Sequence, residues 1–198
     1  MAFQFMPGAT ALGIAFDNGV LLASEKRVAF GNFVVNKNTK KTFSITPNVG
    51  AACAGMIADM DALMRQVTAL SKIRKLETRR EIPTNSVAKL MSVIMFERRY
   101  FPLLTQVIVG GIDDTPKIYT LDPLGSLLPD EYAAVGTGAE MALGVLDDQY
   151  SKNMNEDSAK TLAIKAIKSS IQRDSSSGDG IDILSITKDG IKEESINF

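Results

Sequence analysis

Histidine is absent from the 198 residues, tryptophan is absent, and there is one cysteine, Cys53. Without histidine, neither a Ser/His/Asp nor a Cys/His hydrolytic device can be assembled within the chain, and histidine-based metal ligation is excluded. A lone cysteine rules out an intrachain disulfide and any multi-cysteine zinc site. Any hydrolytic base must therefore be an amine or a carboxylate, and no metal or cofactor is expected. Cys53 lies in the apolar stretch from Val49 to Ala54 and reads as a small buried hydrophobe.

Charge of one sign is also lacking. Twenty-two Lys and Arg against 23 Asp and Glu leave a net charge of −1. No broad field draws the chain to nucleic acid or to an anionic membrane, and neither is expected as a partner. No apolar run reaches the roughly 18 to 20 residues that cross a bilayer, and the start, Met1 to Gly8, has no basic and apolar blocks of a secretory type. A soluble, cytoplasmic protein is the expectation. The hydrophobic share, 45%, suffices for one domain with its own core.

Short apolar stretches come first. Ala11 to Phe16 and Val20 to Ser24 flank Asp17-Asn18-Gly19, where an Asn-Gly pair suits a tight hairpin with positive φ at its central positions. Phe33 to Val35, Thr42 to Ile45 and Val49 to Ala54 continue the pattern, predicting one sheet of about five strands. From Met56 the period changes. Ile57, Met60, Leu63, Met64, Val67, Leu70, Ile73 and Leu76 form the stripe of an amphipathic helix packed on the core. Thr84 is the predicted N-cap of a second helix carrying Val87, Leu90, Met91 and Ile94. Strands are predicted again at Leu103 to Val109, Ile118 to Leu121 and Tyr132 to Val135, helices at Ala139 to Tyr150 and Glu156 to Gln172, and a last strand at Ile181 to Thr187 before the Asp189-Gly190 turn. Segregated blocks of strands and helices argue for an α+β fold of two stacked antiparallel sheets with helices on their outer faces.

Specific residues then resemble a known family. Gly13-Ile14, Asp17-Asn18-Gly19, the run Ala23 to Arg27, Gly31-Asn32-Phe33 and Lys40-Lys41 look like the opening of archaeal-type proteasome β subunits, members of the N-terminal nucleophile hydrolases. Ala54-Gly55 with Asp59, Tyr100-Phe101-Pro102, the run Gly110 to Asp113, the run Leu121 to Gly125, Gly136-Thr137-Gly138, Gly144-Val145-Leu146 and the block Arg173 to Asp182 follow in order. The resemblance implies a four-layer αββα sandwich, two antiparallel sheets flanked by helix pairs. It also implies heptameric rings shared with α subunits and other β subunits, and unfolded polypeptides as substrates.

Catalytic members of this family use an N-terminal threonine, freed by autocleavage behind a glycine, with its own α-amine as base. That works without histidine because an α-amine titrates at about 7.7 to 8.0. By resemblance, Glu25 is the acidic partner, Lys41 the lysine beside the hydroxyl, Gly55 the oxyanion-stabilising N–H, and Thr137, Asp174 and Ser177 the polar ring around the amine. A gap-free alignment from Gly13 through Glu25 to Lys41 places Ala9 where the nucleophile belongs, directly after Gly8. The substrate-aligning threonine falls on Ala29. The implied reading is a non-catalytic or latent β subunit with a short extension over residues 1–8 and one domain over residues 9–198. Two alternatives stand beside it: an active threonine endopeptidase cleaved before Thr10, and an inactive precursor made by replacing a threonine at position 9. A slip of one residue along a strand turns Thr10 to the other face unless the strand bulges. Glu25, Lys41, Asp174 and Ser177 also admit a purely structural reading, as a buried ion pair and a polar turn.

Overall fold

The structure, a computed structural model, describes residues 8–198. The extension expected over residues 1–8 therefore lies, apart from Gly8, outside the described residues. Among the described residues, sixteen elements run in the order β1 (Thr10–Phe16), β2 (Gly19–Glu25), β3 (Val28–Phe30), β4 (Phe33–Asn36), β5 (Thr42–Thr46), β6 (Val49–Gly55), α1 (Ile57–Thr78), α2 (Thr84–Glu97), β7 (Thr105–Ile112), β8 (Pro116–Leu121), β9 (Leu127–Asp130), β10 (Tyr132–Gly136), α3 (Ala139–Gln149), α4 (Glu156–Arg173), β11 (Gly180–Thr187) and β12 (Gly190–Asn197).

Alternation along the strands builds three apolar layers. In β1, Leu12 and Ile14 face one way and join Leu146, Leu162 and Ile167 of α3 and α4. Ala9 and Ala11 face the other way and meet Ala52, Ala54 and Ile108 of the second sheet. On the far side of that sheet Val49, Ala51 and Cys53 pack under Met60, Leu63 and Met91 of α1 and α2. The result is the expected αββα sandwich, with β10-β1-β2-β11-β12 as one antiparallel sheet and β5-β6-β7-β8-β9 as the other.

Strand membership differs from the sequence reading. The first five predicted strands do not share a sheet: β1 and β2 belong to one, β5 and β6 to the other, and β4 pairs only with β3 in a separate ribbon. Glu131, between β9 and β10, is where the chain passes from the second sheet to the first, in which β10 pairs with β1. Local periodicity reports which face is buried but not which distant strand is the neighbour. The short strands β3 and β9 and the exposed, charge-rich β12 carry too little apolar alternation to be read as strands.

Two helix details also differ. Leu70, Ile73 and Leu76 are exposed, so the core-facing stripe of α1 ends at Val67 and Ser71. A 22-residue helix is about 33 Å long, whereas the seven-residue strand β6 beneath it spans about 23 Å, and the helix overruns its sheet. Thr84 lies in the first turn of α2 rather than at its cap, Pro83 occupying that position. The Asp113 carboxylate does the capping, accepting from the Thr84 amide at 3.0 and 3.2 Å and from its hydroxyl at 3.0 Å. The β1–β2 turn is Asp17-Asn18, with Gly19 already paired to Phe16, and neither turn residue has positive φ.

Candidate functional site

The site lies where the first residues of β1, the end of β2, the ends of β6 and β10 and the loop after α4 meet. Ala9 is buried, 1% exposed, and its methyl belongs to the layer between the sheets. Its carbonyl lies so close to Gly136 that a Cβ there would come within 2.0 Å of it, and the same Cβ would come within 2.8 Å of Ala54 Cβ. With φ at +98°, Gly136 could not be replaced without displacing the start of β1. Gly55 closes β6 at φ +135°, its backbone against the Leu104 carbonyl, 2.2 Å from where a Cβ would sit. Backbone packing alone thus demands glycine at 55.

Thr10 occupies the opposite face of the strand, the same face as Leu12 and Ile14, and is completely buried. Its hydroxyl is 2.8 Å from that of Ser177. Ser177 donates to Asp174 Oδ2 at 2.7 Å, which leaves Thr10 as the donor in the Thr10–Ser177 contact. Thr137 donates to the same Asp174 oxygen at 2.6 Å and lies 3.3 Å from the Ala9 carbonyl. Gly8 passes directly over this ring, since a Cβ on it would meet Ser176 Cβ at 2.3 Å and Thr137 Oγ1 at 2.7 Å.

Glu25 and Lys41 form a buried ion pair, 0% and 1% exposed at their side chains. The lysine also donates to the carbonyls of Glu25 at 3.2 Å and Arg27 at 2.6 Å, so its three protons all have acceptors. Glu25 Oε1 lies 3.4 Å from the Thr10 amide, and Oε2 accepts from the amides of Arg27 at 2.7 Å and Gly178 at 3.1 Å. Burial pushes the Glu25 carboxyl above its ordinary range while Lys41 pulls it back; burial pushes the Lys41 ammonium down while Glu25 holds it up. The pair persists because each charge is hydrogen-bonded on every side.

Of the residues singled out in the sequence, Ala9, Thr10, Glu25, Lys41, Thr137, Asp174 and Ser177 come together, with Gly55 next to Ala54 at the edge of the group. Ala29 sits in the β3–β4 ribbon, 2% exposed, beside a register shift between Val28 and Ala29. One contributor was missed. Arg27 Nε donates to Asp179 Oδ2 at 2.7 Å and its Nη1 to the Ser175 carbonyl at 3.0 Å, clamping the loop that carries Ser177. Asp179 has φ +67°, and the Asp179-Gly180 pair was a signal for such a turn. A Cβ on Gly178 would lie 2.4 Å from Arg27 Cζ, so a larger residue there would have to push the guanidinium out of this clamp.

Cys53 is wholly buried under α1 and α2, and burial pushes its thiol far up, so it is inert. Among the described residues, no group of three or more His, Cys, Asp or Glu is placed to hold a metal ion, and no helix is long and apolar enough to cross a membrane.

Comparison with known proteins agrees with this architecture. The family model for proteasome subunits matches residues 6–186. The chain belongs to the proteasome subunit family. It is 67% identical over 190 residues to proteasome subunit beta 1 of Nitrosopumilus maritimus, covering 96% of each chain. Over 188 residues it is 65% identical to proteasome subunit beta 1 of Cenarchaeum symbiosum, covering 95% of this chain and 97% of that one. The corresponding subunit of Hyperthermus butylicus is 45% identical over the whole length of both chains. Six ionisable or hydroxylic side chains, those of Thr10, Glu25, Lys41, Thr137, Asp174 and Ser177, are thus gathered around the start of β1.

Proposed function

We propose that this chain is a non-catalytic β-ring subunit of the 20S proteasome core particle. Its work is to complete the ring, line the chamber and seat neighbouring subunits, while a sister β subunit performs the cleavage. The particle it builds has heptameric rings, works in the cytoplasm and degrades unfolded polypeptides delivered by an ATP-dependent or other regulator. Residues 1–8 stay attached ahead of a single domain over residues 9–198.

One observation carries the reading. The nucleophile position holds the methyl group of Ala9, while the nearest hydroxyl, that of Thr10, is buried on the other face of β1 and donates to Ser177. A methyl group can neither attack a peptide carbonyl nor drive the acyl shift that would free an amine. Glu25, Lys41, Asp174 and Ser177 serve here as struts: together with Arg27 they fasten the loop 174–179 to β1 and β2. Ala29, lacking a hydroxyl in the substrate-aligning position, is consistent with a chain that has no substrate of its own to align.

The test is a particle reconstituted from this chain, a sister β subunit and α subunits. Disabling the nucleophile of the sister subunit alone should abolish peptidase activity, and Thr10→Ala in this chain should leave activity unchanged. Activity that survives loss of the sister nucleophile and falls with Thr10→Ala would assign the chemistry to Thr10 instead.

A further inference from the structure

The end of β2 and the two residues after it carry three charged side chains in a row. Glu25 Oε2 accepts from the Gly178 amide at 3.1 Å, and Arg27 Nε donates to Asp179. Between them Lys26 is only 4% exposed. Its Nζ donates to Ser195 Oγ at 2.8 Å and to Asn197 Oδ1 at 2.9 Å, both on β12, and lies 3.8 Å from Asp182 Oδ1. Ser195 in turn donates to that Asp182 oxygen at 2.7 Å, which closes the network. An ammonium taken out of water is costly unless it is paired and hydrogen-bonded, so a network of this kind holds one geometry.

We propose that Lys26 is a positioning residue for the polar cluster: by locking the end of β12 against Gly180 it fixes the Gly178 peptide, and with it the hydrogen bond that Glu25 receives. The stretch Gly178-Asp179-Gly180 cannot fix itself. Asp179 and Gly180 have φ of +67° and +149°, and two glycines in three residues leave the backbone permissive. Its position must come from outside. The Lys26 amide donates to the Gly178 carbonyl at 3.2 Å. The Lys26 stem passes beside Gly180, where an added Cβ would lie 2.9 Å from Lys26 Cδ, 2.5 Å from the Ile196 carbonyl oxygen and 3.3 Å from Asn197 Cα. Gly180 also pairs with Asn197 in the β11–β12 ladder. A loosened end of β12 therefore frees Gly180 and, two residues back, the Gly178 amide.

Without Lys26, β12 is a weak anchor. It is the outer strand of its sheet, and residues 192–195 are all exposed. Burial then specifies its register poorly, and edge segments of this kind open first. The buried ammonium supplies the register that apolar packing does not. These contacts lie within one chain and do not depend on its place in a ring or on whether it cleaves peptides.

The experiment compares the full wild-type chain with two variants. Lys26→Met keeps the stem and removes the ammonium, whereas Ser195→Ala with Asn197→Ala keeps the ammonium and removes its acceptors on β12. In both, amide hydrogen exchange should rise about tenfold over residues 177–180 as well as over 190–197, the effect of losing one hydrogen bond to a charged group, while β6 and β7 exchange as in the wild type. A second readout is the Glu25 carboxyl, followed by carboxyl-carbon NMR against pH and assigned with Glu25→Gln. The Gly178 hydrogen bond helps to hold this carboxyl down, so its midpoint should move up in the doubly substituted chain, where the charge of Lys26 is kept. Faster exchange confined to residues 190–197, with Gly178 and the Glu25 midpoint as in the wild type, would overturn the inference and leave Lys26 a fastener of β12 alone. If Lys26→Met does not fold, the doubly substituted chain decides by itself, since both of its changes lie at exposed positions of the outer strand.

Discussion

The hydroxyl of Thr10 lies 2.8 Å from that of Ser177, on the face of β1 opposite to the Ala9 methyl. Two adjacent residues thus face different layers of the sandwich, and only one of them faces the layer between the sheets. Replacing Thr10 by valine, of similar shape, should remove the donated hydrogen bond and leave the Ser177 oxygen with one partner fewer. The expected cost is about 1 to 2 kcal/mol of stability, read as a lowered denaturant midpoint. Particle activity should not change.

The Glu25–Lys41 pair is a second structural strut. Lys41→Met should leave a buried carboxylate without its counter-charge and cost roughly 3 to 5 kcal/mol, whereas Glu25→Gln with Lys41→Met should recover part of the loss. Equilibrium unfolding of the two variants checks this. If Lys41→Met unfolds at the wild-type midpoint, the pair is no strut.

Acid should loosen the Arg27–Asp179 clamp. The guanidinium hydrogen bond holds the Asp179 carboxyl below its ordinary range. A depressed folded-state value stabilises above the unfolded value of about 3.9 and is lost as pH falls through the folded value. Asp179→Asn keeps a residue that tolerates positive φ while removing the charge. Its melting temperature should fall below that of the wild type at pH 6 to 7, and the gap should close as pH drops below about 4. A gap independent of pH would show that the charge is not what matters.

Ala9→Thr should permit some self-cleavage behind Gly8, because Glu25, Lys41, Thr137, Asp174 and Ser177 are already gathered there. Activity should be partial. Ala29 would still lack the hydroxyl that the resemblance places at the substrate-aligning position, and a bound peptide misplaced by about 1 Å can lose on the order of a hundredfold in rate. Ala9→Thr with Ala29→Thr should then exceed Ala9→Thr alone; equal rates would show that Ala29 has no bearing on alignment.

The layers of the fold were legible because burial leaves a period in sequence: Leu12 and Ile14 on one face of β1, Ala9 and Ala11 on the other, Met60, Leu63, Met64 and Val67 along α1. Strand neighbours were not legible, since nothing local in Tyr132 to Gly136 says that it pairs with Thr10 to Ile14 across more than a hundred residues. The gathering of Glu25, Lys41 and Ser177 was foreseen through the resemblance alone. The Arg27–Asp179 clamp escaped because a salt bridge between distant residues leaves no periodic trace. The exposed half of the α1 stripe misled for a related reason: Leu70, Ile73 and Leu76 keep the helical spacing after the sheet beneath has ended.

The most direct measurement of the central claim is the mass and N-terminal peptide of this chain after assembly into the particle. If position 9 has no nucleophile, the chain keeps the residues ahead of Ala9, begins at Met1 or Ala2, and acquires no adduct from electrophiles that capture N-terminal threonines. A mature chain beginning at Thr10 and carrying such an adduct would contradict the account.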